Sequence, residues 1–269
     1  MLMSDVIEHY NKLIDENNDP ARDPKPLRDY MDKWDGEKFI ESMQLDKSKS
    51  ALEIGIGTGR LAIKVAPNCK SLCGIDISEK TIQRATENLS MHKNINLICG
   101  DFTSFEFEEQ FDVIYSSLTF MHIQDKLSAI QKISTLLTDN GFFVLSIDKS
   151  QNEYIDMGDR KIKIYPDNPH DIRSYLSISK LKIINEFETD HAYVTVSTKA
   201  SSDCQAKCNT FFKKSLGDKK PRHLRGRLLI RETTASNCSC VTLLKSVPLG
   251  KKKRTNPFMF SLLPRCQGA

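Results

Sequence analysis

The sequence predicts an α/β domain with a seven-stranded, mostly parallel sheet and helices on both faces. Up to residue 199, short apolar runs of strand length alternate with amphipathic stretches, a pattern typical of parallel strands joined by crossover helices. The last two apolar runs of this part, 181–189 and 192–198, are separated only by Asp190 and His191. Because strands joined so briefly must be antiparallel, the sheet is expected to end in one antiparallel pair.

Residues 1–45 are expected to form an N-terminal helical cap. Apolar residues recur at helical spacing near the start of the chain, at Val6, Ile7, Tyr10, Leu13 and Ile14. A polar, proline-containing loop follows at 17–26, and a second helical stretch is predicted around 39–43. Asp5 and Glu8 interrupt the opening before the apolar core of a signal peptide could form, so a cytoplasmic location is expected.

The central strands are predicted from five apolar runs that have the composition of buried parallel strands. These runs span 51–54, 71–75, 95–99, 111–115 and 142–147. The crossover helices between them are predicted at 60–66, 79–92 and 125–137. Ser78 is expected to cap the start of the second of these helices, and Asn140-Gly141 is expected to end the third before the fifth strand.

After the fifth strand the regular alternation stops. The segments 153–157 and 161–165 flank Gly158-Asp159 and predict a hairpin inserted over the edge of the sheet. A helix is predicted at 169–178, just before the antiparallel pair. Since no apolar run has the length of a bilayer-crossing helix, no membrane span is expected.

The net charge of +4 conceals two unlike parts of the chain. Residues 1–199 hold 24 Lys and Arg against 32 Asp and Glu, whereas residues 200–269 hold 15 against 3. We therefore divide the chain into the cap, a core domain at 46–199 and a basic, cysteine-containing C-terminal extension at 200–269. The extension is expected to be poorly ordered, because amphipathic periodicity fades where the composition changes. A short helix over 203–216 is left open.

Two other interpretations of the extension stay open. The first is zinc binding by four of its cysteines, Cys204, Cys208, Cys238 and Cys240. Their spacings differ from those of common zinc ribbons, so no metal site is predicted. The basic run at 251–254 allows an arm that binds RNA or another anionic surface.

The sharpest motif is a glycine-rich turn, Glu53-Ile54-Gly55-Ile56-Gly57-Thr58-Gly59-Arg60, which follows the first predicted strand and precedes a helix. Glycines at alternate positions bring the main chain close to a ligand, and the following helix offers free N–H groups. A dinucleotide fingerprint would have its third glycine at position 60, where this chain has arginine. The turn therefore indicates a ligand cradle and weakens an assignment to NAD.

Two acidic residues end the next two predicted strands, at the same carboxyl edge of the sheet. Asp76 can accept hydrogen bonds from both hydroxyls of a ribose, and Ile77 can pack on a base. Asp101 can accept a hydrogen bond from an exocyclic adenine amine, and Phe102 adds apolar surface against the ring. A lone glycine-rich turn is more often only a turn, but together with these acids it predicts a nucleoside site.

In these blocks the sequence resembles the class I S-adenosylmethionine-dependent methyltransferases, in particular the small-molecule type of ubiquinone and menaquinone biosynthesis. The resemblance covers roughly residues 1–199 and rests on EIGIGTGR, GIDIS, GDF and FDVIYSSLTFMHI, in order and at the family's spacing. It implies a Rossmann-like fold whose seventh strand is inserted antiparallel between strands five and six. It also implies S-adenosylmethionine (SAM) as the cofactor and methyl transfer as the reaction.

The resemblance also implies the residues that contact the cofactor. The methionine part would be lined by Glu53, Gly55, Gly57, Gly59 and, near the sulfonium, Ser116. The ribose and adenine would contact Asp76, Ile77, Asp101 and Phe102.

Four further residues have two interpretations each. His122 follows the fourth strand at the edge where the methyl group must lie, and it could act as a general base or be structural. Tyr10, Tyr30 and Trp34 could close over the cofactor, or they could simply pack on the domain.

A small molecule is the expected methyl acceptor. The fourth strand ends in Tyr115-Ser116-Ser117-Leu118, not in the Asn/Asp-Pro-Pro-aromatic block of enzymes that methylate amines of nucleic acids. The acidic balance of residues 1–199 also opposes binding to a phosphate backbone. Two alternatives remain: a non-catalytic SAM-binding or regulatory protein of the same fold, and an RNA methyltransferase that uses the basic extension.

Overall fold

The computed structural model describes residues 3–199, 229–235 and 238–244, which fall into two compact units. The larger unit contains the α/β domain. Its strands are β1 (Ser50–Ile54), β2 (Ser71–Asp76), β3 (Ile95–Cys99), β4 (Phe111–Ser117), β5 (Leu137–Asp148), β6 (Tyr154–Asp156), β7 (Lys161–Lys163), β8 (Leu181–Glu188) and β9 (Ala192–Lys199). Its helices are α1 (Met3–Asp15), α2 (Lys25–Met31), α3 (Gly36–Glu41), α4 (Ala62–Val65), α5 (Glu79–Asn88), α6 (Lys126–Leu136) and α7 (Pro169–Ile178). Single 3₁₀ turns lie at Ala66–Asn68 and Phe120–His122.

Seven of these strands form one sheet in the order β3-β2-β1-β4-β5-β9-β8. The first five strands of that order pair in parallel, and β9 is antiparallel to both β5 and β8. The predicted fold class is therefore confirmed, including the antiparallel strand inserted between the fifth and sixth strands. Strands β6 and β7 form a separate antiparallel pair, close to the predicted hairpin.

The sheet is covered on both faces because alternate side chains of its central strands point in opposite directions. Ile114 of β4 packs in one apolar cluster with residues of α6 and α7, including Ile130 and Leu176. Its neighbours Val113 and Tyr115 pack in the opposite cluster, which contains residues of α3, α4 and α5. A rigid two-sided core thus fixes the carboxyl ends of the central strands.

Most predicted boundaries hold within a few residues, and α7 has the predicted bounds. Ser78 caps α5 as expected, since its Oγ accepts a hydrogen bond from Thr81 N at 3.1 Å. The prediction that Asn140-Gly141 ends a helix is wrong, because α6 stops at Leu136 and both residues lie inside β5. Asn140 has a φ of 63° there, and the pairing of β5 with β4 shifts register across this stretch. The pair therefore accommodates an irregularity in a strand.

Helix α2 begins inside the loop predicted at 17–26. The prolines at its start do not prevent the helix from forming. Backbone N–H groups in the first turn have no partner within the helix, so the missing N–H of proline costs nothing there. No helix of the described residues combines the length and the apolar character needed to cross a membrane.

The smaller unit contains two strands, β10 (Leu229–Ala235) and β11 (Cys238–Leu244), which pair antiparallel in a hairpin. The sequence did not predict this hairpin. The short helix left open at 203–216 lies outside the described residues, as do Cys204, Cys208 and the basic run at 251–254. The other expectations for the extension stay predictions.

Candidate cofactor site

A cavity of about 820 Å³ lies at the carboxyl ends of β1, β2, β3 and β4. It sits where the strand order reverses between β1 and β4, the position at which open α/β sheets bind ligands. Its volume falls within the range of about 300–1,000 Å³ typical of small-molecule sites. The cap contributes to its wall through Val6, Tyr10, Leu13, Asn18, Pro20 and Met31.

The glycine-rich turn presents bare main chain to this cavity. Gly55, Gly57 and Gly59 all have positive φ values, of 75°, 57° and 94°. A Cβ on Gly57 would meet no atom within 4 Å, and Gly57 lines the cavity, so a ligand can approach its backbone. A Cβ on Gly55 would overlap the side chain of Thr119. Gly55 and Gly57 thus both line the cavity, and their contact with the cofactor stays a prediction.

Gly59 has a different role from the one predicted. It does not line the cavity, and a Cβ there would lie 2.9 Å from Cδ1 of Leu89, which follows α5. This glycine allows the turn to pack closely against the neighbouring helix. A contact between Gly59 and the cofactor is therefore not supported.

Asp76 joins the ends of β1 and β2. Its Oδ2 accepts a hydrogen bond from Gly57 N at 3.0 Å, and its Oδ1 accepts one from Ser78 N at 3.0 Å. Burial raises the pKa of Asp76, while these backbone hydrogen bonds act in the opposite direction. Each carboxylate oxygen can accept a further hydrogen bond, and Asp76 and Ile77 both line the cavity. The geometry is suited to a ligand with two adjacent hydroxyl groups.

Asp101 and Phe102 line the cavity at the end of β3. The carboxylate of Asp101 accepts hydrogen bonds from Thr103 N at 2.9 Å and from Ser104 Oγ at 3.1 Å, so it shapes the turn that it starts. Phe102 is buried in the core and packs near Phe107. The predicted pair is thus at the cavity, and both side chains also have structural partners.

Glu53 is a buried acid in the wall of the cavity. Its Oε2 accepts a hydrogen bond from Tyr115 Oη at 2.7 Å. Burial raises the pKa of Glu53 to about 8, against the opposing effects of the Tyr115 hydrogen bond and the positive charge of Arg60. The carboxyl group is therefore largely protonated at neutral pH in this structure, and a bound cation would favour its ionised form.

Arg60 ties the turn to the cap, a role that sequence reasoning missed. Its Nη1 lies 3.0 Å from Asp35 Oδ1 and 3.1 Å from Asp32 Oδ1, and its Nη2 also contacts Asp35. The side chain of Asp35 is fully buried and also accepts hydrogen bonds from Gly36 N at 2.8 Å and from Ser117 Oγ at 2.9 Å. Arg60 and Ser117 both line the cavity. The only sequence signal was the replacement of the dinucleotide-type glycine by Arg60.

Ser116 does not occupy its predicted place. It is fully buried, it donates a hydrogen bond from Oγ to Ile54 O at 2.9 Å, and it does not line the cavity. Ser117 lines the cavity instead. Because successive strand residues point in opposite directions, a displacement of one position moves a side chain to the other side of the strand.

Tyr30 and Trp34 are also away from the cavity wall. Tyr30 is 50% exposed and stacks edge-on against Trp34, with ring centroids 5.3 Å apart. The indole Nε1 of Trp34 donates a hydrogen bond to Asp148 Oδ2 at 2.9 Å. Both residues attach the cap to the sheet, so the interpretation that they pack on the domain is supported and a direct contact of Tyr30 with the cofactor is not.

Tyr10 and His122 form a hydrogen-bonded pair in the cavity wall, with 2.7 Å between Tyr10 Oη and His122 Nε2. Burial lowers the pKa of His122 to about 4 and raises that of Tyr10, so both are neutral at physiological pH. The remaining nitrogen, Nδ1, is buried and has no hydrogen-bond partner in the described part of the chain. With one nitrogen engaged and the other enclosed, this arrangement favours the structural interpretation of His122.

A family model described as a methyltransferase domain matches residues 52–145. An uncharacterized methyltransferase of Anoxybacillus flavithermus is 36% identical over 121 residues, which are 44% of this chain and 56% of that protein. Malonyl-[acyl-carrier protein] O-methyltransferase 2 of Ilyobacter polytropus is 27% identical over 147 residues, which are 54% of this chain and 55% of that protein. The chain thus spans about half the length of the curated relatives that it matches.

Solved structures share the fold at low sequence identity. The magnesium protoporphyrin IX methyltransferase of Synechocystis, solved with bound SAM, superposes with a TM-score of 0.57 at 16% identity and covers 73% of this chain and 96% of its own. Such a likeness shows the fold, while the sequence match at 52–145 coincides with the strands that form the cavity. Residues 52–145 of this domain are thus similar to a methyltransferase domain, and the fold is the one found in a methyltransferase solved with bound SAM.

Proposed function

We propose that this chain is an enzyme that transfers the methyl group of SAM to a small-molecule acceptor. The observation that carries the proposal is the meeting of three separate sequence blocks, at 53–60, 76–77 and 101–102, around one cavity. These are the blocks that carry the resemblance to the family, and the cavity is open to the backbone of Gly57.

The residues present fit the cofactor. Asp76 would hold the ribose hydroxyls with its remaining acceptor capacity, and Ile77 and Phe102 would contact the adenine ring. Glu53 offers a carboxylate that would accept hydrogen bonds from an ammonium group. The main chain at Gly57 leaves room for the amino-acid part, because no side chain fills that space.

SAM, when bound, supplies a methyl group on a positively charged sulfur, which a nucleophile removes by in-line displacement. The chain's own contribution is to orient the reactants and to exclude water. Apolar residues of the cap and of the segment after β4, including Val6, Leu13 and Met121, line the cavity. Holding the acceptor in line about 3 Å from the methyl group supplies much of the acceleration. Transfer by this route needs no strong base in the wall.

A small acceptor is supported by the size of the cavity and by the charge of the domain. The cavity of about 820 Å³ is that of a small-molecule site, and helix α1 contributes Val6, Tyr10 and Leu13 to its wall. The acidic balance of residues 1–199 is unfavourable for a phosphate backbone. The named similar proteins differ in their acceptors, so the chemical identity of the acceptor is left to experiment.

Two measurements on the full chain test the proposal. Calorimetry with SAM and with S-adenosylhomocysteine (SAH) is expected to show saturable binding. Incubation with SAM labelled in its methyl group and a metabolite extract is expected to give a labelled small molecule. Binding without transfer would favour the non-catalytic alternative, transfer to added RNA would favour the RNA methyltransferase, and absence of binding at high micromolar SAM would contradict the assignment.

A further inference from the structure

The segment between β4 and α6, residues 118–125, forms one wall of the cavity. It contributes Leu118, Thr119, Met121, His122, Ile123, Gln124 and Asp125. Regular secondary structure holds little of it, since it contains one 3₁₀ turn at Phe120–His122 and a leucine at a φ of 58°. Something other than helix or strand hydrogen bonds must therefore fix this wall.

Lys126, the first residue of α6, holds the wall from behind. Its Nζ donates hydrogen bonds to Phe120 O at 2.8 Å and to Ile123 O at 2.9 Å, on either side of Met121 and His122, which both line the cavity. The same Nζ donates to Tyr165 O at 2.9 Å. The ammonium thus joins the wall to the segment that follows β7.

Asp167 completes this arrangement. Its Oδ1 lies 2.9 Å from Lys126 Nζ, and the side chains of Lys126 and Asp167 are only 9% and 3% exposed. A second connection runs in parallel, because Tyr165 N donates a hydrogen bond to Met121 O at 2.8 Å. Tyr165 itself lines the cavity, so the two connected segments together shape that part of the binding space.

A buried pair of this kind is a poor source of stability, because the desolvation of two charges offsets most of their attraction. Burial lowers the pKa of Lys126 and raises that of Asp167, which reflects this penalty. An apolar residue at position 126 would remove the penalty, but it would take one hydrogen-bond donor away from each of three carbonyl groups. The arrangement is therefore better explained by the conformation that it selects.

We propose that Lys126 is a positioning residue: with Asp167, it fixes the cavity wall at 118–125 against Tyr165 in the conformation that binds the cofactor. This inference rests on the proposed function, since it concerns the same cavity. Lys126 does not line the cavity. It acts through the backbone of the wall and not by contact with a ligand.

The test compares Lys126→Met with Lys149→Met in the full chain, with SAH as the probe. Lys149 is a matched control, because its Nζ also donates to a loop carbonyl, Thr189 O at 2.7 Å, and pairs with an acid, Glu188, at 3.0 Å, away from the cavity. Lys126→Met is expected to raise the Kd for SAH at least about tenfold and to speed amide exchange in 118–125. Lys149→Met is expected to leave both unchanged.

A double variant, Lys126→Met with Asp167→Asn, removes the uncompensated carboxylate that could prevent the single variant from folding. It is expected to fold and to show the same loss of SAH affinity. The proposal would be overturned by a folded variant that loses only thermal stability and binds SAH within twofold of the wild type. A double variant that cannot fold would also overturn it, because the pair would then be needed for folding itself. Failure of the proposed function is distinguishable, because the wild-type chain would then not bind SAH.

Discussion

The sheet and the N-terminal cap enclose the same cavity, but different forces hold them. The central strands are buried on both faces by apolar side chains. The cap combines both kinds of contact: Phe39 and Met43 are fully buried in the core, whereas α2 buries no residue, and Arg60 and Arg84 reach across to Asp35 and Asp19. This difference teaches that apolar packing alone fixes the strands of the sheet, while charge pairs add to the apolar anchors that hold the cap.

The comparison is tested most strongly by removing a large side chain from the sheet. Phe143 of β5 is fully buried against Phe120, so Phe143→Ala is expected to lower the free energy of unfolding by about 3–5 kcal/mol. Tyr30→Ala in the cap is expected to change it by less than about 0.5 kcal/mol, because Tyr30 is half exposed. Urea denaturation followed by circular dichroism measures both. Equal losses would show that the cap belongs to the same cooperative core.

A second variant tests the contact between Arg60 and Asp35, whose side chains are 12% and 0% exposed. Arg60→Met leaves the carboxylate of Asp35 buried without its counter-ion, and a loss of about 3 kcal/mol in unfolding free energy is expected. Lys64→Met is the control, because Lys64 pairs with Asp32 at 3.2 Å while 42% exposed, and such a pair contributes about 0–1 kcal/mol. If the two variants are equally stable, the buried contact does not hold the cap.

Asp76 belongs to the sheet side of the cavity. Removal of its two proposed ribose hydrogen bonds by Asp76→Ala is expected to weaken SAH binding by about 1–3 kcal/mol, or about 5- to 150-fold. Asp46→Ala, at an exposed turn before β1, serves as the control and is expected to leave the Kd unchanged. Calorimetric titration measures both, and an unaltered Kd for Asp76→Ala would assign its carboxylate to the Gly57 and Ser78 contacts alone.

Glu53 should make both the stability of the fold and the affinity for the cofactor depend on pH. Its pKa in the folded chain, about 8, lies above the usual value of 4.5, so the folded state holds a proton that the unfolded state releases. Stability from this group is present below pH 4.5 and falls as pH rises towards 8, by up to about 1.4 kcal/mol per pH unit. Affinity for the cationic cofactor should rise over the same interval, because binding favours the ionised carboxylate.

Glu53→Gln should flatten both pH profiles relative to the wild type. The unfolding free energy and the SAM Kd, measured at several pH values between 5 and 9, provide the check. Profiles of the variant and the wild type that run in parallel would show that another group titrates.

The smallest effect is expected for the hydrogen bond between two neutral side chains, Tyr10 of the cap and His122 after β4. His122→Asn removes the hydrogen bond to Tyr10 and is expected to lower the rate of methyl transfer less than about tenfold, whereas loss of a general base costs about 10²- to 10⁴-fold. The measurement is the transfer rate to the acceptor found in the extract. A loss of several hundredfold would restore the interpretation of His122 as a base.

The sheet was predictable because its signals are local: apolar runs, the turn at Gly55–Gly59, and acids at strand ends. The same pattern predicted Asp76 and Asp101 at the edge of the sheet where the cavity lies, and their contacts with the cofactor stay predictions. Ser116 and Gly59 do not line the cavity: placing Ser116 required a strand end to be located to one residue, and Gly59 packs against Leu89, 30 positions away. Arg60 with Asp35, and Lys126 with Asp167, depend on contacts between distant segments that no local pattern in one sequence encodes.

The tight fit between Gly59 and Leu89 has a mechanical consequence. Leu89 follows the helix whose opposite end comes just after Asp76, so the close approach at position 59 couples the position of α5 to that of the glycine-rich turn. One added methyl group there would press on α5, although residue 59 does not itself line the cavity.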